Sequence, residues 1–206
     1  MITLHHASMS RSTRILWLLE ELSAPYEIKR ISILRPDGSG GPDPANPHPM
    51  RQVPVIEDDG VVINETILIM LHLTDKFANA GLAPPPDHAK RSAYMGWLGQ
   101  CIGLLDPMLT ALALKQPLSE RQEAARAVLA RNLASALDRN TYLLGTDFST
   151  ADLAWFSYLR LAPDFLGQIP GLAEWVERIN ARPALAKARS LDSDPSEQGN
   201  FGSTRN

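Results

Sequence analysis

The sequence is poor in cysteine and has no excess of positive charge. Cys101 is the single cysteine among 206 residues, so no disulfide can form within one chain, and such a composition suits a reducing compartment. The formal net charge is -3 at pH 7, and the isoelectric point is near 5.9. A protein that binds the phosphate backbone of a nucleic acid needs a basic surplus. We therefore predict no nucleic-acid partner.

Long apolar runs and clusters of metal-ligating residues are also lacking. No segment approaches the roughly 20 apolar residues that a membrane span requires, and residues 1–6 contain no basic stretch ahead of an apolar one. His5 and His6 are neighbours on a predicted strand and face opposite sides, while His72 and His88 have no partners at ligand spacing. We therefore expect a soluble, cytoplasmic protein with no membrane association and no metal.

The first part of the chain has the pattern of a βαβ unit. Alternation of apolar and polar residues over 2–6 predicts a strand. Apolar residues at helical spacing predict a helix over 11–22, with Ser10 or Ser12 as its N-cap. A second strand is predicted over 26–33. Such a unit favours parallel strands joined by a right-handed crossover.

A loop, a hairpin and a helix are predicted next. Residues 35–51 contain five prolines and three glycines, which rule out regular structure and are typical of a connector or of a loop at a binding site. Segments 53–57 and 61–63 flank an Asp-Gly turn and predict a hairpin. A helix is expected over 65–77, with Asn64 as its cap.

The remainder of the chain is predicted to be helical. Helices rich in Ala, Leu and Arg are expected at 88–115, 120–140, 151–161, 172–181 and 184–190. Beyond them the residues are too polar to bury a core. We predict an α/β first domain (βαβ-ββα) over 1–80, a proline-rich linker over 81–86, an all-helical second domain over 87–190 and a flexible tail over 191–206.

Several segments, in chain order, resemble the cytosolic glutathione transferases, and in particular a serine-type, bacterial-like member. Residues 17–22 and 25–27 are similar to the family's first helix and second strand. Gln52-Val53-Pro54 is similar to its cysteinyl-binding turn, and Glu65-Thr66 is similar to its γ-glutamyl site. Residues 149–153 resemble the capping motif of a buried helix, and Trp175 with 181–184 the closing helices. Each motif alone is weak, whereas their order along almost the whole chain is specific.

The resemblance implies both a fold and an activity. A thioredoxin-like domain would bind glutathione, and the helical domain would shape the pocket for a second substrate. The implied reaction joins the glutathione thiolate to a small hydrophobic electrophile, as in detoxification. Ether cleavage, isomerisation, peroxide reduction and glutathione binding without turnover stay open, and the electrophile is not identified. A homodimer is also implied, and two-fold pairs are the commonest oligomers.

The family needs a group that stabilises the bound thiolate, because a free thiol with a pKa of about 8.5 is mostly protonated at neutral pH. A helix N-terminus favours an anion, and a hydroxyl there can donate a hydrogen bond. Ser8, Ser10 and Ser12 are candidates. Ser10 is preferred because it stands four residues before Arg14, as in serine-type members, and Ser12 is the alternative. Ser10 could equally be only an N-cap. No tyrosine precedes Tyr26, which disfavours the tyrosine-type mechanism.

The resemblance assigns Gln52, Val53, Pro54, Glu65 and Thr66 to glutathione binding. A cis Val53–Pro54 bond would turn the Val53 backbone outward, where the cysteinyl backbone could pair with it as an added strand. Gln52 would reach the carboxylate of the peptide. Thr66, at a helix N-terminus, would take the γ-glutamyl carboxylate and Glu65 the ammonium group. Glu65 could instead be a first-turn acid that complements the helix dipole.

Two further features complete the set of candidates. No motif identifies the contact to the glycyl carboxylate, for which His48 is a candidate, and Arg51 stands where family members often carry glycine. Tyr94, Trp97 and Cys101 share one face of a helix. Such a face is core by default, although the resemblance places this helix beside the electrophile pocket.

Overall fold

The computed structural model describes residues 1–193, and the chain divides into two compact units. Within the described residues, the first unit contains 1–77 together with 182–193, and the second contains 78–181. Most of the predicted tail, residues 194–206, lies outside the described residues.

A four-stranded mixed sheet forms the centre of the first unit. Its strands are β1 (Ile2–His6), β2 (Tyr26–Arg30), β3 (Val55–Asp58) and β4 (Val61–Asn64), in the order β2-β1-β3-β4. β1 pairs in parallel with β2 and antiparallel with β3, and β3 pairs antiparallel with β4. The predicted βαβ-ββα arrangement is therefore confirmed.

The helices follow the predicted order along the chain. They are α1 (Ser12–Glu21), α2 (Thr66–Lys76), α3 (Arg91–Gln100), α4 (Asp106–Ala113), α5 (Glu120–Arg139), α6 (Thr150–Leu159), α7 (Leu172–Asn180) and α8 (Pro183–Asp192). None of the helices within residues 1–193 is long and apolar enough to cross a membrane.

The last helix packs on the first unit. Arg182 forms two hydrogen bonds with the Glu21 carboxylate, at 2.6 and 2.7 Å, and Lys187 Nζ lies 2.7 Å from Glu20 Oε2. These contacts join α8 to α1. The sequence had placed residues 184–190 in the second domain because their helical pattern continues that of the preceding helices. Which unit a helix packs against is set by partners far away in the chain.

The long helix predicted over 88–115 is interrupted. A π-helical turn, Cys101–Leu105, separates α3 from α4, and the Asp106 N–H bonds to the Cys101 carbonyl. Pro107 follows directly, and it has no N–H to donate, while its ring crowds the carbonyl four residues earlier. The regular hydrogen-bond ladder therefore cannot continue through this point.

Two predicted N-caps are wrong, and a third is confirmed. α1 is preceded by Arg11 and α2 by Glu65, and neither helix has a side-chain cap bond. Asn64 cannot cap α2 because it stays in β4, paired with Val55. At α6 the expected capping box is present.

Candidate active site

Three segments with candidate residues leave neighbouring strands at one edge of the sheet. His5 pairs with Val55, and Val55 pairs with Asn64. The loop after β1, the turn before β3 and the Glu65-Thr66 pair after β4 therefore emerge from adjacent strands, roughly 5 Å apart. Helices α1 and α2 both begin at this edge. Their unpaired N–H groups and positive dipole ends favour an anionic ligand.

The three candidate serines differ in exposure. Ser8 is 4% exposed and Ser12 is 0% exposed, whereas Ser10 is partly exposed. Ser8 Oγ accepts a hydrogen bond from Arg30 Nη1 at 3.2 Å. Ser12 Oγ lies 2.8 Å from His6 Nδ1 and 2.7 Å from Ser10 Oγ. The geometry therefore favours Ser10 as the serine that meets a ligand, with Ser12 supporting it from the interior.

The Ser10 hydroxyl sits at the start of α1, although Ser10 is not the N-cap. It donates to the Ala7 carbonyl at 2.6 Å and accepts from the Ser12 N–H at 3.2 Å. A negatively charged acceptor in front of α1 would compete with the neutral Ala7 carbonyl for this hydrogen, and hydrogen bonds to charged groups are the stronger ones. The hydroxyl is thus placed to serve a ligand.

The turn before β3 has the expected backbone. The Val53–Pro54 peptide bond is cis. Gln52 is exposed, Val53 is partly exposed and Pro54 is buried. Asn46, which no motif indicated, is fully buried, and its Nδ2 donates to the Gln52 carbonyl at 3.0 Å. Asn46 thereby fixes the approach to the turn.

His48 lies inside the loop rather than on its surface. It is 4% exposed, its Nδ1 accepts from the Met50 N–H at 3.0 Å, and its own N–H donates to Asn46 Oδ1 at 2.9 Å. These bonds give His48 a role in the shape of the loop.

Glu65 has a backbone that its residue type rarely adopts. Its φ is 66° and its ψ is 118°, a conformation that costs a non-glycine residue roughly 1–3 kcal/mol and that is concentrated at functional sites. Glu65 is exposed, and Thr66, the first residue of α2, is 7% exposed. Within residues 1–193 neither side chain forms a hydrogen bond or ion pair, so both can serve a ligand.

No sequence motif indicated a role for His6 or Asp192. His6 is fully buried, with Nε2 3.3 Å from Asp192 Oδ1. Asp192 also accepts hydrogen bonds from the Met9 N–H at 3.1 Å and from Thr13 Oγ1. Burial favours the neutral acid, but the hydrogen bonds from His6, Thr13 and Met9 prevail and hold the pKa of Asp192 below its usual value.

A partial signal for these residues was present in the sequence. The alternation in β1 puts His6 on the same face as Ile2 and Leu4, both of which are buried. Nothing local indicated Asp192, because it is 186 residues from His6 along the chain.

In the second unit, the shared face of α3 belongs to the interior. Tyr94 and Cys101 are 0% exposed. The Trp97 carbonyl accepts from Trp155 Nε1 at 2.9 Å, and the two indole rings meet edge to face with centroids 4.9 Å apart. The packing therefore supports the interpretation of this face as part of the core. Across residues 1–193, no group of three or more His, Cys, Asp or Glu side chains could hold a metal ion.

Comparison with known proteins relates both units to one family. The N-terminal domain of glutathione S-transferase matches residues 8–76, and its C-terminal domain matches residues 111–189. Glutathione S-transferase 3 of Schizosaccharomyces pombe is 30% identical, over 89% of this chain and 85% of its own. Disulfide-bond oxidoreductase YfcG of Escherichia coli is 28% identical, over 91% of this chain and 94% of its own.

A solved structure gives the same relation. A glutathione S-transferase from Actinobacillus pleuropneumoniae superposes with a TM-score of 0.78 at 26% identity, and the match covers 98% of each chain. The fold is therefore that of these enzymes, with a thioredoxin-like first domain and a helical second domain. This chain belongs to the glutathione S-transferase family.

Proposed function

We propose that this protein is a serine-type glutathione transferase, which joins the thiolate of glutathione to a small hydrophobic electrophile. The proposal rests on one edge of the sheet. At this edge the loop that contains Ser10, the cis Val53–Pro54 turn and the Glu65-Thr66 pair lie beside the N-termini of α1 and α2. Glutathione is the co-substrate, and the names of relatives that are called glutathione S-transferases support the assignment.

The charges of glutathione match the groups at this edge. The γ-glutamyl end is a zwitterion, whose carboxylate suits the Thr66 N–H and hydroxyl at the start of α2. Its ammonium group suits the exposed carboxylate of Glu65. The cysteinyl backbone pairs with the Val53 backbone beside Pro54 as an added strand. Gln52, also exposed, reaches the carboxylate at the other end of the peptide.

Ser10 stabilises the thiolate of glutathione. Its hydroxyl turns from the Ala7 carbonyl to the sulfur of glutathione and donates to it, which stabilises the thiolate. A hydrogen bond to a charged group contributes about 1.5–3 kcal/mol, equivalent to about one to two pKa units of the bound thiol. The sulfur is thereby held as the nucleophile at neutral pH.

The test is the replacement Ser10→Ala. We expect the pKa of the bound thiol, followed by its ultraviolet absorbance, to rise by roughly one to two units while the affinity for glutathione changes little. Ser8→Ala is the matched control, since its hydroxyl belongs to the same loop but is buried. Ser12→Ala tests the alternative assignment. A shift only in Ser12→Ala would transfer the role to Ser12. If no serine variant changes the titration, the serine mechanism is refuted.

A redox reaction of glutathione is the second candidate, because one relative is named a disulfide-bond oxidoreductase. No cysteine lies at the start of α1, and Cys101 is buried. Thiol–disulfide chemistry at this site would therefore use glutathione itself. Assays with an aromatic halide, a peroxide and a small disulfide separate the two candidates. Tight glutathione binding with no turnover of any of them would indicate a non-catalytic binding protein.

We also propose a cytoplasmic homodimer that removes reactive electrophiles. The edge strand β4 and helix α2 expose Val61, Val62 and Leu68 by 61%, 45% and 52%. Exposed apolar side chains on an edge strand and on the helix after it support a surface that a partner covers. Light scattering at micromolar concentration is expected to give twice the chain mass, and a mass of 22.6 kDa would contradict the dimer.

A further inference from the structure

A chain of hydrogen-bonding groups connects the end of α8 to the Ser10 hydroxyl. Asp192 Oδ1 lies 3.3 Å from His6 Nε2, His6 Nδ1 lies 2.8 Å from Ser12 Oγ, and Ser12 Oγ lies 2.7 Å from Ser10 Oγ. His6 and Ser12 are both 0% exposed, so solvent does not compete for these contacts. We call these four residues the Asp192 relay.

The position of Asp192 is set by several contacts of its own helix. The ion pairs that join α8 to Glu20 and Glu21 hold its start. At its end, Arg30 Nη2 donates to the Leu191 carbonyl at 2.7 Å, and Nη1 donates to the Asp192 carbonyl at 3.3 Å. Asp192 is therefore part of a fixed element, not of a free chain end.

The Asp192 carboxylate also accepts hydrogen bonds from residues on both sides of Ser10. Its Oδ2 accepts from the Met9 N–H at 3.1 Å, and its Oδ1 accepts from the Thr13 hydroxyl. Met9 has a φ of 52°, a left-handed backbone that L-residues seldom adopt. The two bonds lie on either side of Ser10 in the sequence, so the carboxylate holds the backbone that presents the Ser10 hydroxyl.

The relay determines which hydroxyl has a free proton to give. In a neutral imidazole one nitrogen donates and the other accepts. The Asp192 carboxylate lies 3.3 Å from Nε2 and the Asp192 main-chain carbonyl 3.5 Å from it. Both are acceptors, so together they place the proton on Nε2, which leaves Nδ1 to accept from the Ser12 hydroxyl. Ser12 then has no proton to donate to Ser10. The Ser10 hydroxyl keeps its own proton, which it donates to the Ala7 carbonyl and can turn toward a ligand.

We infer that Asp192 and His6 are positioning residues for Ser10, which act by fixing the His6 tautomer and, through Ser12, the direction of the Ser10 hydroxyl. The inference rests on the proposed function, in which Ser10 donates to the glutathione sulfur. It assigns a role in the serine site to a residue of the last helix, whose side chain contacts neither glutathione nor the electrophile in that proposal.

The first test is the tautomer of His6, measured without glutathione. Long-range ¹H–¹⁵N correlation spectra distinguish the imidazole nitrogens, and the spectrum of His6→Gln assigns the His6 signals. Neutral His6 protonated on Nε2 is expected in the unmodified protein, and a mixture of tautomers in Asp192→Ala. Asp192→Asn, which preserves the size of the side chain, is expected to change the tautomer too. His6 protonated on Nδ1, on both nitrogens, or unaffected by both substitutions would overturn the inference.

The second test is the pKa of bound glutathione thiol in Asp192→Ala, Ser10→Ala and the double variant. Loss of a polarising neighbour changes a hydrogen bond by roughly 10–30%, so Asp192→Ala is expected to raise the thiol pKa by roughly 0.1–0.6 unit. In the Ser10→Ala background the same substitution should add nothing, because the effect passes through Ser10. An equal shift in both backgrounds would overturn the inference.

A control variant separates the relay from mere stability. Ser190→Ala alters an exposed residue of the same helix that has no contact with the relay. It should keep the Nε2 tautomer and the thiol pKa. If Ser10→Ala shifts the thiol pKa but Asp192→Ala does not, the inference fails and the proposed function stands. If Ser10→Ala gives no shift, the serine assignment itself fails, and the tautomer of His6 still decides whether the relay exists.

Discussion

The carboxylate of Asp152 is predicted to be a principal source of stability in the second unit. It is 0% exposed and accepts four hydrogen bonds. Oδ2 accepts from the Ser149 N–H at 3.0 Å and from Ser149 Oγ at 2.8 Å, and Oδ1 accepts from the Leu143 N–H and from Trp175 Nε1, each at 2.9 Å. One side chain therefore connects the start of α6, the segment before it and α7.

The replacement Asp152→Ala removes all four acceptor contacts at once. Each buried donor left without a partner costs about 1–3 kcal/mol. The Leu143 N–H, the Ser149 N–H and the Trp175 indole lose their partners, whereas the Ser149 hydroxyl can rotate. With water partly filling the space, we expect a loss of roughly 3–5 kcal/mol in the free energy of unfolding, or roughly 6–20 °C in the melting temperature. Asp152→Asn retains the shape and one acceptor oxygen, so its effect should be smaller.

The matched control is the capping box at the start of α5. Ser119 Oγ accepts from the Gln122 N–H at 3.3 Å, but these groups are exposed. Ser119→Ala should therefore cost only about 0.5–1 kcal/mol, as for an ordinary N-cap. Urea unfolding and calorimetry measure both variants. If Asp152→Ala is no more destabilising than Ser119→Ala, burial does not increase the cost of losing these hydrogen bonds, and the reasoning is wrong.

Two further predictions concern ligand affinity and pH. Glu65→Ala and Thr66→Ala should weaken glutathione binding, measured by calorimetry, much more than they slow turnover at saturation, because both contacts are remote from the sulfur; unchanged affinity would refute the assignment. For Asp58, burial raises the pKa, but hydrogen bonds from Lys76 and His72 prevail and hold it below the usual value of 3.8. The resulting stabilisation is present above that value and is lost as the pH falls through the lower folded-state pKa. Unfolding of Asp58→Asn should therefore depend less steeply on acid pH, and equal slopes would contradict this.

The order of strands and helices was predictable because it depends on residues close together in the chain. Alternation over β1 and helical spacing over α1 and α2 are local patterns, and the structure has all three elements. The capping box of Ser149 and Asp152 was recognised for the same reason, since its partners are three residues apart. The break before Pro107 had a local cause, yet the helical pattern on both sides concealed it.

Residue type and position alone did not decide among the three serines. Ser8, Ser10 and Ser12 have the same hydroxyl and lie within five positions of one another, so composition and spacing could only rank them. Their burial differs because the interior of the first unit covers two of them, and that depends on the path of the loop between β1 and α1. The sequence, through its resemblance to a family, pointed to the loop and to Ser10, and packing supplies the physical argument for that choice.

The sequence by itself determined the elements, their order and the family, because hydrophobic periodicity and short motifs act between residues a few positions apart. Tertiary structure alone decided that α8 packs on α1, that β1, β3 and β4 bring their loops to one edge, and that Asp192 lies beside His6. The last contact joins residues 186 positions apart. Its existence depends on how whole elements pack, because any one of many polar residues could have taken the place of Asp192 without altering a local pattern.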